Sequence, residues 1–308
     1  MNSILSIFFS PERTYLALLE MTSNGLNLKN IGTTTDPIDL ENIDNPSNEI
    51  PLKELYGLLN DFVEFTNIIS VSIPMEYVIL TQFPGRPNIS TNEILSVINI
   101  EIRQQYPQFN TEEFPTHLFE LMPRKEHTYY LAAIIPKKIF QGIKTIANKV
   151  GKIVERIEIS QISAHNSLLY NYPEEKSKIV GIFNISDKFI DYSIVRNQDF
   201  FAYNLIKYNS QEQIPNLIQQ NFEKIAKELN ITIDSLFFFG SHLNKVLLEK
   251  ISLQLKNKVE KIQRLNPFRL VTSELDAPTK QLCARIAHHF APCVGSILPE
   301  FHKRIKIY

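Results

Sequence analysis

Residues 178–208 read KIVGIFNISDKFIDYSIVRNQDFFAYNLIKY, and the spacing of apolar runs within them decides the fold. Lys178–Ile185, Phe189–Arg196 and Phe200–Tyr208 are strand-length runs rich in Ile, Val, Phe and Tyr. The polar breaks between them leave room only for tight turns, so the three read as an antiparallel meander. Gln211–Leu229 follows with Ile214, Leu217, Ile218, Phe222 and Ile225 on one helical face. Asp234–Gly240 then reads as a fourth strand.

The same order appears at the N-terminus. Ser3–Phe9, Thr14–Met21 and Leu26–Thr34 are strands, and Ser23-Asn24-Gly25 is expected to make a type I′ hairpin turn, since Asn-Gly favours positive φ. A polar linker with Pro37 and Pro46 precedes a helix from Pro51 to about Phe65, with Leu55, Leu58, Leu59 and Phe62 at helical spacing. Asn67–Ile73 is a strand closed by Pro74. Strand–strand–strand–helix–strand, written twice, is an internal duplication. Val154-Glu155-Arg156-Ile157 and Val259-Glu260-Lys261-Ile262 open a further strand in each copy.

Between the copies lies an extra unit. Met75–Phe83 alternates as a strand, and Ser90-Thr91-Asn92-Glu93 is a capping-box start for a helix that ends near Tyr106-Pro107. Phe114–Met122 and Thr128–Ile135 are strands. Pro136 opens a helix with Ile139, Phe140, Ile143, Ile146, Ala147 and Val150 on one stripe, expected to pack on this unit's own sheet. The domain reading is therefore a first lobe of residues 1–74 and 153–172, an inserted β-α-β-β-α subdomain of residues 75–152, and a second lobe of residues 173–308.

Composition narrows the function. With 32 Lys+Arg against 33 Asp+Glu the net charge is -1, so no basic excess attracts nucleic acid, and none is expected as a partner. The apolar runs Ile4–Phe9 and Tyr129–Ile135 fall far short of the ~18 residues that span a bilayer. No cationic stretch precedes the first of them, which predicts no signal peptide. Cys283 and Cys293 are the only cysteines, too few for a disulfide framework or a zinc site, and suit a reducing cytoplasm. Nine glycines in 308 residues are few where ordinary usage would give about 20. Loops that cradle phosphates draw on glycine, so the chain is poor in that resource.

Several stretches, in order, resemble the actin-like proteins of the FtsA and PilM type, and PilM in particular. They are NEILSVINIEIRQQYP at 92–107, YLAAIIPK at 130–137, Val154–Leu168, FFFGSHL at 237–243, Asn266-Pro267-Phe268 and Phe290–Leu298. The resemblance implies an α/β, duplicated actin-like (ribonuclease H-like) two-lobe fold with a small inserted subdomain. Such ATPases carry an Asp-x-Gly turn in each half. Here the first Asp position falls on Phe8 (or on Phe9 with a one-residue slip) and the Gly on Ser10. In the second half Asn184 and Ser186 stand in those places, and the adenosine-side Gly-Gly is Gly240-Ser241. The helices that close over adenine in relatives look reduced to Gln211–Leu229.

An Asn cannot take a proton from attacking water at neutral pH. The expectation is a non-catalytic scaffold without a cofactor, cytoplasmic and peripheral to the inner membrane. The resemblance implies as partner the cytoplasmic tail of a PilN-like inner-membrane protein, in a type IV pilus or related machine, with copies arrayed as an oligomer or ring. The alternative is an ATP-binding, slowly hydrolysing Mg²⁺-dependent switch using Asn184, Ser186, Gly240 and Ser241, with Glu12, Asp187 or Asp191 as a substitute acid.

Blander readings accompany these. Phe8, in an alternating apolar strand, is expected in the core, and Asn184 with Ser186 is expected to make a turn. His288-His289 point about 100° apart on a helix and are not expected to hold a metal. His302-Lys303-Arg304-Ile305-Lys306 is read as a solvated tail with no membrane insertion. No Gly-x-Ser-x-Gly, Walker or His-Glu-x-x-His pattern occurs to support other chemistry.

Overall fold

The computed structural model describes residues 2–62, 66–85, 90–105, 107, 114–124, 127–197, 199–300 and 304–305. The first copy builds β1 (Asn2–Phe9), β2 (Thr14–Thr22), β3 (Gly25–Thr33), α1 (Glu49–Phe62) and β4 (Ile68–Ile73). The insert contributes β5 (Ile79–Gly85), α2 (Thr91–Gln105), β6 (Thr116–Arg124), β7 (His127–Ile134) and α3 (Lys137–Lys149), and the chain returns through β8 (Ile153–Ile159) and α4 (Ser160–Asn171). The second copy is β9 (Ile179–Ile185), β10 (Phe189–Arg196), β11 (Asp199–Lys207), α5 (Ile214–Leu229), β12 (Ser235–Phe239), α6 (Lys245–Leu255) and β13 (Lys261–Arg264). Four short elements close the chain: β14 (Thr272–Ser273), α7 (Ala277–Ile286), α8 (Ala291–Ser296) and β15 (Arg304–Ile305).

The duplication is explicit in the sheets. The first has the order β14-β3-β2-β1-β4-β8 and the second β11-β10-β9-β12-β13. In each, three antiparallel strands meander and a fourth and fifth add in parallel beside the first. The Asn-Gly hairpin forms where expected, but only Gly25 has positive φ (112°) and Asn24 does not, so the turn is not type I′. The capping box forms as read: Glu93 Oε2 accepts from the Ser90 amide at 3.0 Å and the Glu93 amide donates to Ser90 Oγ at 3.4 Å. The expected helix end at Tyr106 lies outside the described residues.

Three features depart from the sequence reading. First, the segment after β13 does not stay with the second lobe. β14 pairs with β3, and Phe290, Cys293, Val294 and Leu298 pack on Phe8, Tyr15 and Leu19 of the first sheet. Helix α8 lies so close to α4 that a Cβ on Gly295 would sit 1.5 Å from the Ser163 carbonyl oxygen. Glycine is required there to let the two backbones meet.

Second, the α3 stripe packs on the first lobe as well as on the inserted sheet. Ile139, Ile143, Ile146 and Ala147 share one core with Leu55, Leu59 and Ile73, and Phe119 and Leu131 of the inserted sheet join the same core. A Cβ on Gly142 would lie 2.5 Å from the Leu40 carbonyl oxygen. The helix that covers the insert's other sheet face is α2, through Ile94, Ile98 and Ile102. Phe140 is only half-buried. The insert is therefore welded to the first lobe and cannot be removed without opening that core.

Third, Arg304–Ile305 is not a free tail. It pairs antiparallel with Phe119 and Leu118 of β6 and extends the inserted sheet. The other three residues of the basic end lie outside the described residues.

Candidate functional site

Both copies place a turn at the carboxyl end of their first strand, and parallel pairing brings the end of β12 beside the second of these turns. Strand ends of this kind are where open α/β sheets bind ligands. The sequence-predicted positions converge here. Glu12, from the turn after β1, and Asp187, from the turn after β9, both reach His242, which follows β12. Glu12 Oε1 lies 3.0 Å from His242 Nδ1, and Asp187 Oδ1 lies 3.5 Å from Nε2. A protonated ring answers both carboxylates, and a neutral ring donates to one.

Phe8 is buried and pairs across the hairpin with Tyr15, their ring centroids 6.1 Å apart, in the core beneath α8. Phe9 is equally buried, on the opposite face. Either register thus puts a core aromatic where the relatives' acid would be. In the second copy Asn184 is buried and polar, and its Nδ2 donates to Asp191 Oδ1 at 2.8 Å on the neighbouring strand. Full burial pushes the Asp191 carboxyl up to about 8, against the opposing pull of that hydrogen bond. Its second oxygen, Oδ2, has no partner among the described residues.

Glu76, on the short turn Met75–Tyr77 where the insert begins, faces Ser186 and Asp187. Its carboxyl is raised because the cleft walls strip water from it, although part of the residue stays exposed, and Asp187 adds repulsion. Beside it a cavity of about 480 Å³ is lined by Ser10, Asp36, Asp39 and Tyr77.

A Mg²⁺-nucleotide does not fit these residues well. Several of the amides at these strand ends are spent inside the protein. Ser10 N donates to the Arg13 carbonyl at 3.1 Å, Ser186 N to the Phe189 carbonyl at 3.0 Å, and His242 N to the Ile185 carbonyl at 3.0 Å. Glu12 N and Arg13 N both donate to Ser10 Oγ, at 3.2 and 3.4 Å. The Ser186 carbonyl accepts from the Tyr208 hydroxyl. Gly240 has φ of 105°, and a Cβ there would lie 2.4 Å from Asn184 Oδ1 and 2.5 Å from the Ile185 carbonyl oxygen, so this glycine serves strand packing. Ser241 Oγ lies 3.4 Å from its neighbour His242 Nδ1. Carboxylates on three sides oppose an added polyanion. Among the described residues no group of His, Cys, Asp and Glu is arranged to hold a metal.

His288 is buried and His289 half-buried near this cleft, their rings 4.3 Å apart. Burial lowers them to about 4 and about 3, which keeps both neutral. His288 Nε2 lies 3.2 Å from the Leu243 carbonyl oxygen, and His289 Nδ1 lies 2.6 Å from the Tyr15 hydroxyl.

Helix α4 was missed as a site element. It runs between the two sheets with Ser160, Gln161, Ser163, His165, Asn166, Ser167 and Asn171 all buried. Gln161 Nε2 donates to the Ile182 carbonyl at 2.9 Å and to Ser193 Oγ at 2.7 Å, tying the first lobe to the second. A helix with polar residues on every face, set between two apolar copies, was the available signal.

The fold defined by these features is that of the actin-like ATPases, two related lobes around a cleft. A chain of the "PilM-PilN type IV pilus biogenesis complex" matches 96% of this chain and 99% of its own, with a TM-score of 0.72 at 13% identity, which makes the arrangement PilM-like, insert included. The match is weaker to EutJ, an ethanolamine utilization protein from Carboxydothermus hydrogenoformans, at a TM-score of 0.53, 6% identity and coverage of 97% and 90%. A Bacteroides thetaiotaomicron protein with an actin-like ATPase fold and unknown function matches at 0.50, with 12% identity and coverage of 86% and 91%. No family model and no curated protein matches the sequence.

Proposed function

We propose that this chain is a non-catalytic actin-like scaffold that captures the cytoplasmic tail of a PilN-like inner-membrane protein, in a type IV pilus or related envelope machine. The observation that carries the reading is the full-length likeness to a PilM chain, inserted subdomain included, at a TM-score of 0.72. The self-satisfied turns and acid-lined cleft support the loss of catalysis, since a scaffold needs the lobes but not the phosphate cradle. No helix among the described residues is long and apolar enough to cross a membrane, so attachment would run through the partner.

The capture surface in this reading is the groove where the first lobe meets the insert. A cavity of about 360 Å³ lies there between residues 40–45 and the exposed side of α3, with Lys138, Gln141 and Thr145 on its wall. An extended tail anchored by a few side chains binds with modest affinity, because ordering the tail consumes part of the gain. Copies arrayed on a ring or oligomer would strengthen attachment by avidity.

The test is a pull-down of single-span membrane proteins from the native cell with wild type, Thr145→Arg in the groove, and Val246→Arg on the outer face of α6. Both positions are exposed, so both variants should fold. Wild type and Val246→Arg should recover the same partner and Thr145→Arg should lose it. Equal recovery by all three places capture elsewhere.

The rival reading is the ATP-binding switch, and the cleft acids Glu12, Glu76, Asp187 and Asp191 are what favour it. Nucleotide affinity separates the two.

A further inference from the structure

A second cavity, of about 510 Å³, opens on the other side of the first turn, between the β2–β3 hairpin and α7. We propose that it binds a small carboxylate carrying an apolar tail. Its volume falls within the roughly 300–1,000 Å³ of small-molecule sites. Ile31, Leu282 and Ile286 form an apolar wall, and Leu282 stands 51% exposed on it.

The opposite wall offers donors. Arg13 is exposed, and its guanidinium meets no carboxylate among the described residues. His289 adds a second donor. Burial keeps its ring neutral and raises the Tyr15 hydroxyl beyond the usual phenol range, and the two share a hydrogen bond at Nδ1 in which either can donate. With Tyr15 as the donor the ring proton sits on Nε2, which has no partner among the described residues and can offer it to a carboxylate. Thr33 and Thr279 supply hydroxyls at the rim. The one carboxylate nearby, Glu12, is turned to His242 at 3.0 Å.

The donor set carries one fixed positive charge, which matches a monoanion. A dianionic phosphate would leave a charge uncompensated beside Glu12, and a cationic amphiphile would meet Arg13 as a like charge. The aliphatic wall selects for a tail over a bare anion. This inference does not depend on the scaffold reading.

Titrating octanoate into the full chain, followed by calorimetry or amide chemical shifts, tests the proposal, with octylamine and inorganic phosphate as comparison probes. Octanoate should bind saturably and the other two should not. Arg13→Met, which keeps the aliphatic stem, and Leu282→Asp should each weaken octanoate by about tenfold or more while melting like wild type. Both side chains are exposed, so folding is not at stake. No saturable octanoate binding in the millimolar range, equal binding of octylamine, binding of phosphate alone, or an unchanged affinity in Arg13→Met overturns the proposal.

Discussion

The turns after β1 and β9 stand at equivalent places in the two copies and have diverged in opposite senses. After β1 the acid position has become core: Phe8 stacks on Tyr15 under α8, with no polar atom left. After β9 it has stayed polar: Asn184 holds a fully buried Asp191 one strand away. One turn is filled by aromatic packing, while the other keeps a carboxyl on the neighbouring strand. Equivalent turns can thus be filled in two ways, and the two leave different physical marks.

The largest difference should appear when the acid is put back. Phe8→Asp would bury a carboxylate in an aromatic core and remove the ring as well, costing at least about 4 kcal/mol and leaving little folded protein by circular dichroism. Survival of a well-folded Phe8→Asp would mean that the first turn still faces the cleft.

A smaller effect, with a sign, belongs to Asp191. Its folded pKa of about 8 lies above the unfolded value of about 4. Between those values the unfolded chain releases the proton and the folded chain keeps it, so stability falls as pH rises from about 4 to about 8 and then levels off. Asp191→Asn removes this term. The variant should match wild type near pH 4 and exceed it near pH 8, by an amount on the order of a few kcal/mol in denaturant titrations. A difference that is constant with pH would show that Asp191 ionises in the fold.

The smallest effect is expected of Asn184→Asp. Below pH 8 a protonated Asp191 can donate to the new carboxylate and keep the pairing, at a cost of about 1 kcal/mol. The loss should grow at pH 9, where the pair is pressed to give up its shared proton. A large loss at pH 6 would mean that the Asn184 amide is needed as a donor for more than Asp191.

Much of the fold was legible because its signals are local. The meanders of residues 3–34 and 178–208 announce themselves by alternation, and the α3 stripe by its helical period. What these patterns could not say is how far a face packs: Ile139 and Ile143 read as core, but only the structure, with Leu40 close against Gly142, shows that this core is shared with the first lobe. The return of residues 272–298 to the first sheet was illegible, since a two-residue strand and a six-residue helix carry no period. Of the site, Phe8, Ser10, Asn184, Ser186, Gly240 and Ser241 were flagged through the family resemblance. Glu76, His242 and Gln161 were not, because their partners lie on distant segments. His242 stands one residue past a flagged serine, and Glu76 just past a strand-closing proline, so proximity to strand ends was the usable clue.

Titrating Mg·ATP into the intact chain by calorimetry tests most directly whether this cleft has given up its nucleotide. The account predicts no saturable heat through the millimolar range, with or without magnesium, because several of the turn amides are already spent and carboxylates line the cleft. Micromolar, magnesium-dependent binding would contradict it and establish the chain as a nucleotide-dependent switch.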